Sequence, residues 1–265
     1  MIRKPEDFEI IDAHTHPFLD PADCIGPYGQ PKSMAEFDAE MKKIGTGRYA
    51  GSVISTRRAD DGWAGIRGMN EDALRIRDQF PDYIPGIQVH GGFPQESCEE
   101  LHRMYSQEIR MVGELVPYSL KTENFNSPGM ITIFKEMEKL NMLASVHHGT
   151  RGELLPVIEA CPDLKIMMAH PGEPWGDEDM NSKKRLEFVA AHKNLYMDIS
   201  GYGPHRWGMI RWAIDLCGAD KIIFGSDMPT CPAGMFLYAA LCENLTDDEL
   251  RLLLAGNFKR LTGIE

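Results

Sequence analysis

The chain has 265 residues, 43% of them hydrophobic, and a formal net charge of −12 from 28 basic and 40 acidic side chains. That is ample for a buried core, and with no Pro-, Gly- or Ser-rich divider we expect one domain over residues 1–265. The acidic balance argues against nucleic acid or an anionic membrane as partner, since both attract basic surfaces, and no apolar run approaches a membrane span.

The first residues, Met-Ile-Arg-Lys-Pro-Glu-Asp, carry charge and no apolar core, so no secretory signal is expected. An apolar run over 9–15 reads as the first of eight strands and leads into Ile11-Asp12-Ala13-His14-Thr15-His16-Pro17. Residues two apart on a strand share a face, so His14 and His16 point the same way and can share a divalent ion. Asp12 lies one step deeper on that face, suited to supporting them. A helix over 33–44 follows, capped by Ser33 with Glu36 completing a capping box. The second strand, 50–55, leads past Arg57 and Arg58 to a helix over 70–80, preceded by Asn70, whose apolar residues Ala73, Leu74, Ile76 and Phe80 lie to one side. The third strand, 84–89, ends at His90 and precedes a helix over 96–108.

The fourth strand, 110–116, carries Glu114, with Tyr118 in the loop beyond and a helix over 127–140. The fifth, 142–147, ends in His147; alternation turns the adjacent His148 away from the interior, and Arg151 follows in the loop before a helix over 152–161. The sixth strand, 164–169, ends at His170 and precedes a helix over 182–193. The seventh, 194–199, carries Asp198 with Ser200 just past it, and the eighth, 221–226, ends at Asp227. Helices are predicted over 205–217 and 233–244, and Asp247 and Asp248 lead into an extra C-terminal helix.

Eight strand–helix repeats over this length predict a (β/α)8 TIM barrel, whose active site forms at the C-terminal strand ends, where every ligand candidate falls. A doubly wound open sheet usually carries a glycine-rich phosphate loop after its first strand; this chain has His-Thr-His-Pro there. The six scattered cysteines contain no Cys-Xaa-Xaa-Cys pair and read as free thiols in a reducing cytoplasm. Trp63, Tyr118, Trp175, Tyr202 and Trp207 fall in the predicted loops, where they either line an apolar pocket or pack the loops.

Several segments together resemble the amidohydrolase superfamily, and within it the amidohydrolase-related (amidohydrolase 2) group. They are Ile-Asp-Ala-His-Thr-His at 11–16, Val-Gly-Glu-Leu at 112–115, Ser-Val-His-His-Gly at 145–149, Met-Ala-His-Pro-Gly at 168–172, Tyr-Met-Asp-Ile-Ser-Gly at 196–201 and Ile-Phe-Gly-Ser-Asp-Met-Pro at 223–229. The resemblance implies a divalent metal held by His14, His16, His147 and Asp227. His170 either completes a second metal site or polarises the substrate. Glu114 occupies a position where some members place a metal-bridging glutamate; its other reading is a buried acid paired with Lys121 or Arg110.

The resemblance further implies a hydrolase of a small-molecule ester, lactone or amide, working through metal-activated water with Asp227 as proton shuttle. The alternative is a metal-dependent decarboxylase of a small aromatic or enol carboxylate, and the remaining one a non-catalytic metal-binding scaffold. Glu114 and the absence of long insertions favour hydrolysis. Zinc is the expected metal, as one or two ions, with Mn2+, Fe2+ and Ni2+ compatible with the same ligands. Arg57, His90, Tyr118 and Arg151 are the candidate substrate-binding residues. A homodimer is the expected assembly.

Overall fold

The computed structural model describes residues 3–177 and 180–265. Eight strands form one sheet in the order β1 to β8: β1 (Ile11–Thr15), β2 (Arg48–Gly51), β3 (Tyr83–Ile87), β4 (Met111–Leu115), β5 (Leu143–Val146), β6 (Lys165–Met168), β7 (Leu195–Asp198) and β8 (Ile222–Ile223). Each pairs in parallel with the next. The sheet closes on itself across a short seam. There the Ala13 amide donates to the Phe224 carbonyl (2.9 Å), the His16 amide to Met228 (2.7 Å) and the Asp227 amide to His14 (2.8 Å). This is the (β/α)8 barrel expected from the sequence.

The helices are α1 (Met34–Lys43), α2 (Trp63–Gln79), α3 (Pro94–Tyr105), α4 (Pro117–Leu120), α5 (Pro128–Lys139), α6 (Arg151–Ala160), α7 (Ser182–Ala191), α8 (Met209–Cys217) and α9 (Ala233–Cys242). The C-terminal extension is a composite of α10 (Asp247–Arg251), a π-helical turn (Leu252–Gly256) and α11 (Asn257–Thr262). Ser33 caps α1 through the Glu36 amide (3.2 Å), but Glu36 reaches back to the Lys32 amide (2.7 Å), so no capping box forms. Helix α2 starts seven residues before Asn70. Asn70 is buried within it and bonds both backbone groups of Gln88, which ties α2 to the end of β3. A side chain that reads as a helix start is here a helix-to-strand brace. Among the described residues no helix is long and apolar enough to cross a membrane.

Strands covered on both faces bury nearly every side chain, as parallel strands inside a ring of helices must. The lower interior of the barrel is apolar: Ile11, Met111, Leu143, Met167, Tyr196 and Ile223 meet there, sealed by Ala255, Phe258 and Leu261 from the C-terminal extension. That plug leaves the opposite end for polar groups. Two strands change phase on the way up. Ile11 and His14, and likewise Met111 and Glu114, are three apart, yet each pair faces the interior, which strict alternation forbids. The pairing register shifts between Asp12 and Thr15 in β1 and between Val112 and Leu115 in β4, and such an irregularity re-aims the side chains beyond it.

Candidate metal centre

Five strand ends deliver imidazoles and carboxylates to one point. His14 comes from β1 with His16 just beyond it, Glu114 from β4, His147 from the end of β5, His170 from the end of β6 and Asp227 from the end of β8. His14, His16, Glu114, His170 and Asp227 are all buried, and His147 is partly so. His170 and Asp227 adopt left-handed backbone at φ +62° and +67°, an uncommon conformation for such residues that turns each side chain inward from its strand end. Two glycines make room. A Cβ at Gly201 would stand 2.2 Å from His170 Nδ1, and one at Gly225 2.8 Å from the His14 Cβ.

The Glu114 carboxylate organises the cluster. Its Oε2 lies 3.4 Å from both His14 Nε2 and His16 Nε2. Those two nitrogens are 3.1 Å apart, and Asp227 Oδ1 stands 3.3 Å from His16 Nε2 and 3.7 Å from His14 Nε2. Its other oxygen, Oε1, lies 2.7 Å from His147 Nδ1 and 3.6 Å from His170 Nε2. Atoms held at about 2.1 Å from one ion stand roughly 3.0–3.4 Å from each other, so the first group has the spacing of a coordination shell. Two ring nitrogens at 3.1 Å must also have a proton or a metal ion between them, since two bare lone pairs at that distance repel. The donor set therefore fits a divalent cation, and the two oxygens of Glu114 face different imidazoles. The alternative partners for its carboxylate are engaged elsewhere: Arg110 bonds the Tyr105 and Ile109 carbonyls, and Lys121 pairs with Asp60.

The electrostatics match that geometry. Burial works against the charged form of His14, but the Glu114 and Asp198 carboxylates outweigh it and hold the imidazole well above its ordinary pKa. His16 rises to about 9, burial being overcome by hydrogen bonds with Asp227 and Glu114. Glu114 falls well below the usual carboxylate range, because the surrounding imidazoles outweigh its burial. His170 is lowered, chiefly by burial. Unneutralised buried charge is costly, so this pocket calls for cations.

Around the cluster, outer groups fix the rings. Asp198 Oδ2 meets His14 Nδ1 at 2.9 Å, and Ser200 Oγ lies 3.0 Å from both His14 Nδ1 and His170 Nδ1. The Ser52 carbonyl faces His16 Nδ1 at 3.3 Å, and the Tyr118 hydroxyl meets His147 Nε2 at 2.9 Å. Asp12 accepts the His14 and Ser226 amides through Oδ1, and burial lifts its pKa to about 7. His148 does not turn away: left-handed backbone (φ +56°) stacks its ring on His147, centroids 3.8 Å apart. Burial, with His147 and His170 beside it, pushes His148 down to about 3.

The candidate substrate-binding residues are dispersed. Arg57 pairs with Asp20 and Asp23, and Arg58 with Asp23 and Asp72. His90 accepts the Gly92 amide at Nδ1, 3.1 Å from Glu123. Arg151 starts α6 and lines a groove of about 360 Å³ against α7, its guanidinium 5.9 Å from the Phe188 ring. Only Tyr118 touches the cluster. Arg206, in the loop after β7, pairs with Glu173 and covers Trp175. Arg185 is a further residue that supports the site. It is buried and donates to the carbonyls of His148, Ala169 and His170, bracing the ends of β5 and β6. In Ser-Lys-Lys-Arg it looks like a surface residue, so the sequence carries no signal for it. Tyr202 lies 6.0 Å from the His170 ring. A cleft of about 650 Å³ lies between α1 and the segment after Asp227, lined by Met228, Cys231, Pro232, Ile44, Tyr28 and Pro31 among others, and none of the clustered residues lines it.

A family model described as amidohydrolase matches residues 11–264. No curated protein matches the chain. Among solved structures, 2,6-dihydroxybenzoate decarboxylase from Rhizobium aligns over 97% of this chain and 99% of its own at 14% identity, TM-score 0.73. A 5-carboxyvanillate decarboxylase from Novosphingobium aromaticivorans with bound manganese covers 97% of both chains at 13% identity, TM-score 0.70. A probable 2-pyrone-4,6-dicarboxylic acid hydrolase from Acinetobacter baumannii aligns over 97% of this chain and 100% of its own at 19% identity, TM-score 0.68. At such identities the likeness is one of fold.

Proposed function

The chain belongs to the amidohydrolase family, and from that premise we propose that it is a metal-dependent hydrolase of a small-molecule ester, lactone or amide. One observation carries this reading: the two oxygens of Glu114 face two separate groups of donors, His14, His16 and Asp227 on one side and His147 and His170 on the other. These residues would hold two divalent cations, zinc first, although the manganese in the Novosphingobium enzyme fits the same chemistry. When bound, the cations polarise a substrate carbonyl and lower the pKa of water.

The chain's own residues supply the proton chemistry. Asp227 takes a proton from the attacking water on its carboxylate. The oxygen of that water adds to the carbonyl carbon, the bond to the leaving oxygen or nitrogen breaks, and Asp227 returns the proton to the leaving group. Asp198, Ser200 and the Ser52 carbonyl hold the imidazoles of His14, His16 and His170 in orientation.

A decarboxylase of a small aromatic carboxylate is the second reading, favoured by the activities named for two of the similar structures. Against it, Arg57, Arg58 and Arg206 are all committed to carboxylates of the chain itself, leaving none of the three to clamp a substrate carboxylate. In keeping with six free cysteines, the protein acts in a reducing cytoplasm, as a homodimer.

The test is metal analysis of the purified protein, then assays on lactones, esters and amides beside hydroxybenzoates while carbon dioxide is followed. Asp227→Asn should retain most metal and lose about 10²–10⁴ in kcat. Glu114→Gln should lower the content from two ions per chain to one. Carbon dioxide release without hydrolysis, or an Asp227→Asn enzyme of unchanged rate, would overturn the proposal.

A further inference from the structure

Each of the four clustered histidines uses one ring nitrogen toward the centre and the other toward an outer partner. For His14, His16 and His170 that partner is buried: Asp198, the Ser52 carbonyl and Ser200. His147 differs, because its partner is Tyr118, whose residue is 72% exposed.

Both contacts of His147 come from one stretch of chain. Glu114 on β4 faces Nδ1 at 2.7 Å. Val116 and Pro117 turn directly into the single-turn α4, and this brings the Tyr118 hydroxyl to 2.9 Å from Nε2. The phenol ring stands edge-on to the imidazole, centroids 5.3 Å apart at 65°. The imidazole is thus gripped at both nitrogens by residues four apart.

A neutral imidazole carries one ring proton, and the group facing the other nitrogen decides which atom keeps it. A carboxylate only accepts, whereas a phenol both donates and accepts. With the proton on Nδ1, Glu114 receives it and Tyr118 donates to Nε2. With a cation engaged by Nδ1, the proton must sit on Nε2, and Tyr118 accepts it. A carbonyl or carboxylate at the Tyr118 position would satisfy only the second arrangement.

We propose that Tyr118 is a positioning residue for His147: its hydroxyl bonds to Nε2 in both tautomers, reversing from donor to acceptor as Nδ1 turns its lone pair to a divalent cation. The inference rests on the two-cation reading of the site. Because Tyr118 is exposed, its bond to His147 is one that an entering substrate can reach, unlike the buried bonds that hold His14, His16 and His170.

Tyr118→Phe removes the hydroxyl and keeps the ring; Tyr118→Ala removes both. Two measurements decide: ¹⁵N chemical shifts of the His147 ring nitrogens in chelator-treated protein, and Zn2+ stoichiometry and affinity against a competing chelator. Tyr118→Phe should shift the Nε2 resonance of His147 and weaken the looser of two Zn2+ ions by about 10–100-fold, leaving the tighter ion unchanged. A ring-packing role instead predicts that Phe matches the wild type and only Ala is impaired, which would overturn the proposal. If the wild type binds a single Zn2+, the two-cation reading falls, while the ¹⁵N comparison in metal-free protein still decides whether the hydroxyl sets the ring proton.

Discussion

The His16 imidazole sits where a proton and a metal ion would compete for one atom. Its hydrogen bonds with Asp227 and Glu114 overcome burial and raise its pKa to about 9. Below that pH the ring is protonated, and a cation must displace the proton; above it the nitrogen is free. Cation affinity should therefore climb as pH rises toward 9, by about tenfold per unit for each proton displaced. Titrating Mn2+ against a chelator across that range checks this, and an affinity flat below pH 9 would contradict it. The His14–His16 pair is legible in the sequence because two-residue spacing on a strand is itself a geometric statement. The inward aim of Glu114 is less so: a register shift inside β4 puts it on the same side as Met111, and residue order does not announce such a shift. The turn of His148 onto His147 escapes for a similar reason, since alternation stops where left-handed backbone begins.

At the scale of elements, the shortest strand has the most elaborate support. β8 pairs over two residues, and the Phe224 amide that follows it is accepted by the Leu253 carbonyl in the π-helical turn (2.8 Å). Asn257, fully buried, donates to the carbonyls of Ala219 (2.7 Å) and Ile222 (2.8 Å). The C-terminal extension thereby serves both as plug and as a partner for backbone that the ladder leaves over. Asn257→Ala should cost about 1–3 kcal/mol by stranding two carbonyls. Urea unfolding measures it, and a loss under about 0.5 kcal/mol would show that solvent replaces the amide without penalty. The extra helix is readable from Asp247 and Asp248 ahead of a leucine-rich run. Its π-turn and its contacts with β8 are not, because they depend on where the barrel leaves carbonyls unpaired. The one-turn α4 is likewise too short to produce a periodic signal.

Over the whole molecule, eight alternations of strand and helix suffice to read the barrel, and the barrel in turn explains why residues spread from 14 to 227 converge. What the mouth recognises is less legible, since it depends on loop partners: Arg57 looks available in the sequence and is held by Asp20 and Asp23 in the fold. Cation binding should be felt globally. An ion present at about 100 times its Kd adds about 2.7 kcal/mol, which for a chain of this size raises Tm by several degrees. Calorimetry of chelated and reloaded protein tests this, and identical melting curves would mean that no ion binds the folded state preferentially.

The seam between β1 and β8 gives that coupling a location. The segments that join there, Ala13 to His16 on one side and Phe224 to Met228 on the other, also carry His14, His16 and Asp227. An ion held by all three would act as a rivet through the narrowest joint of the ring, so its occupancy and the tightness of that joint would be linked quantities. Whatever pries the joint apart, even from the far apolar floor, must loosen the ion by the same free energy with which the ion resists it.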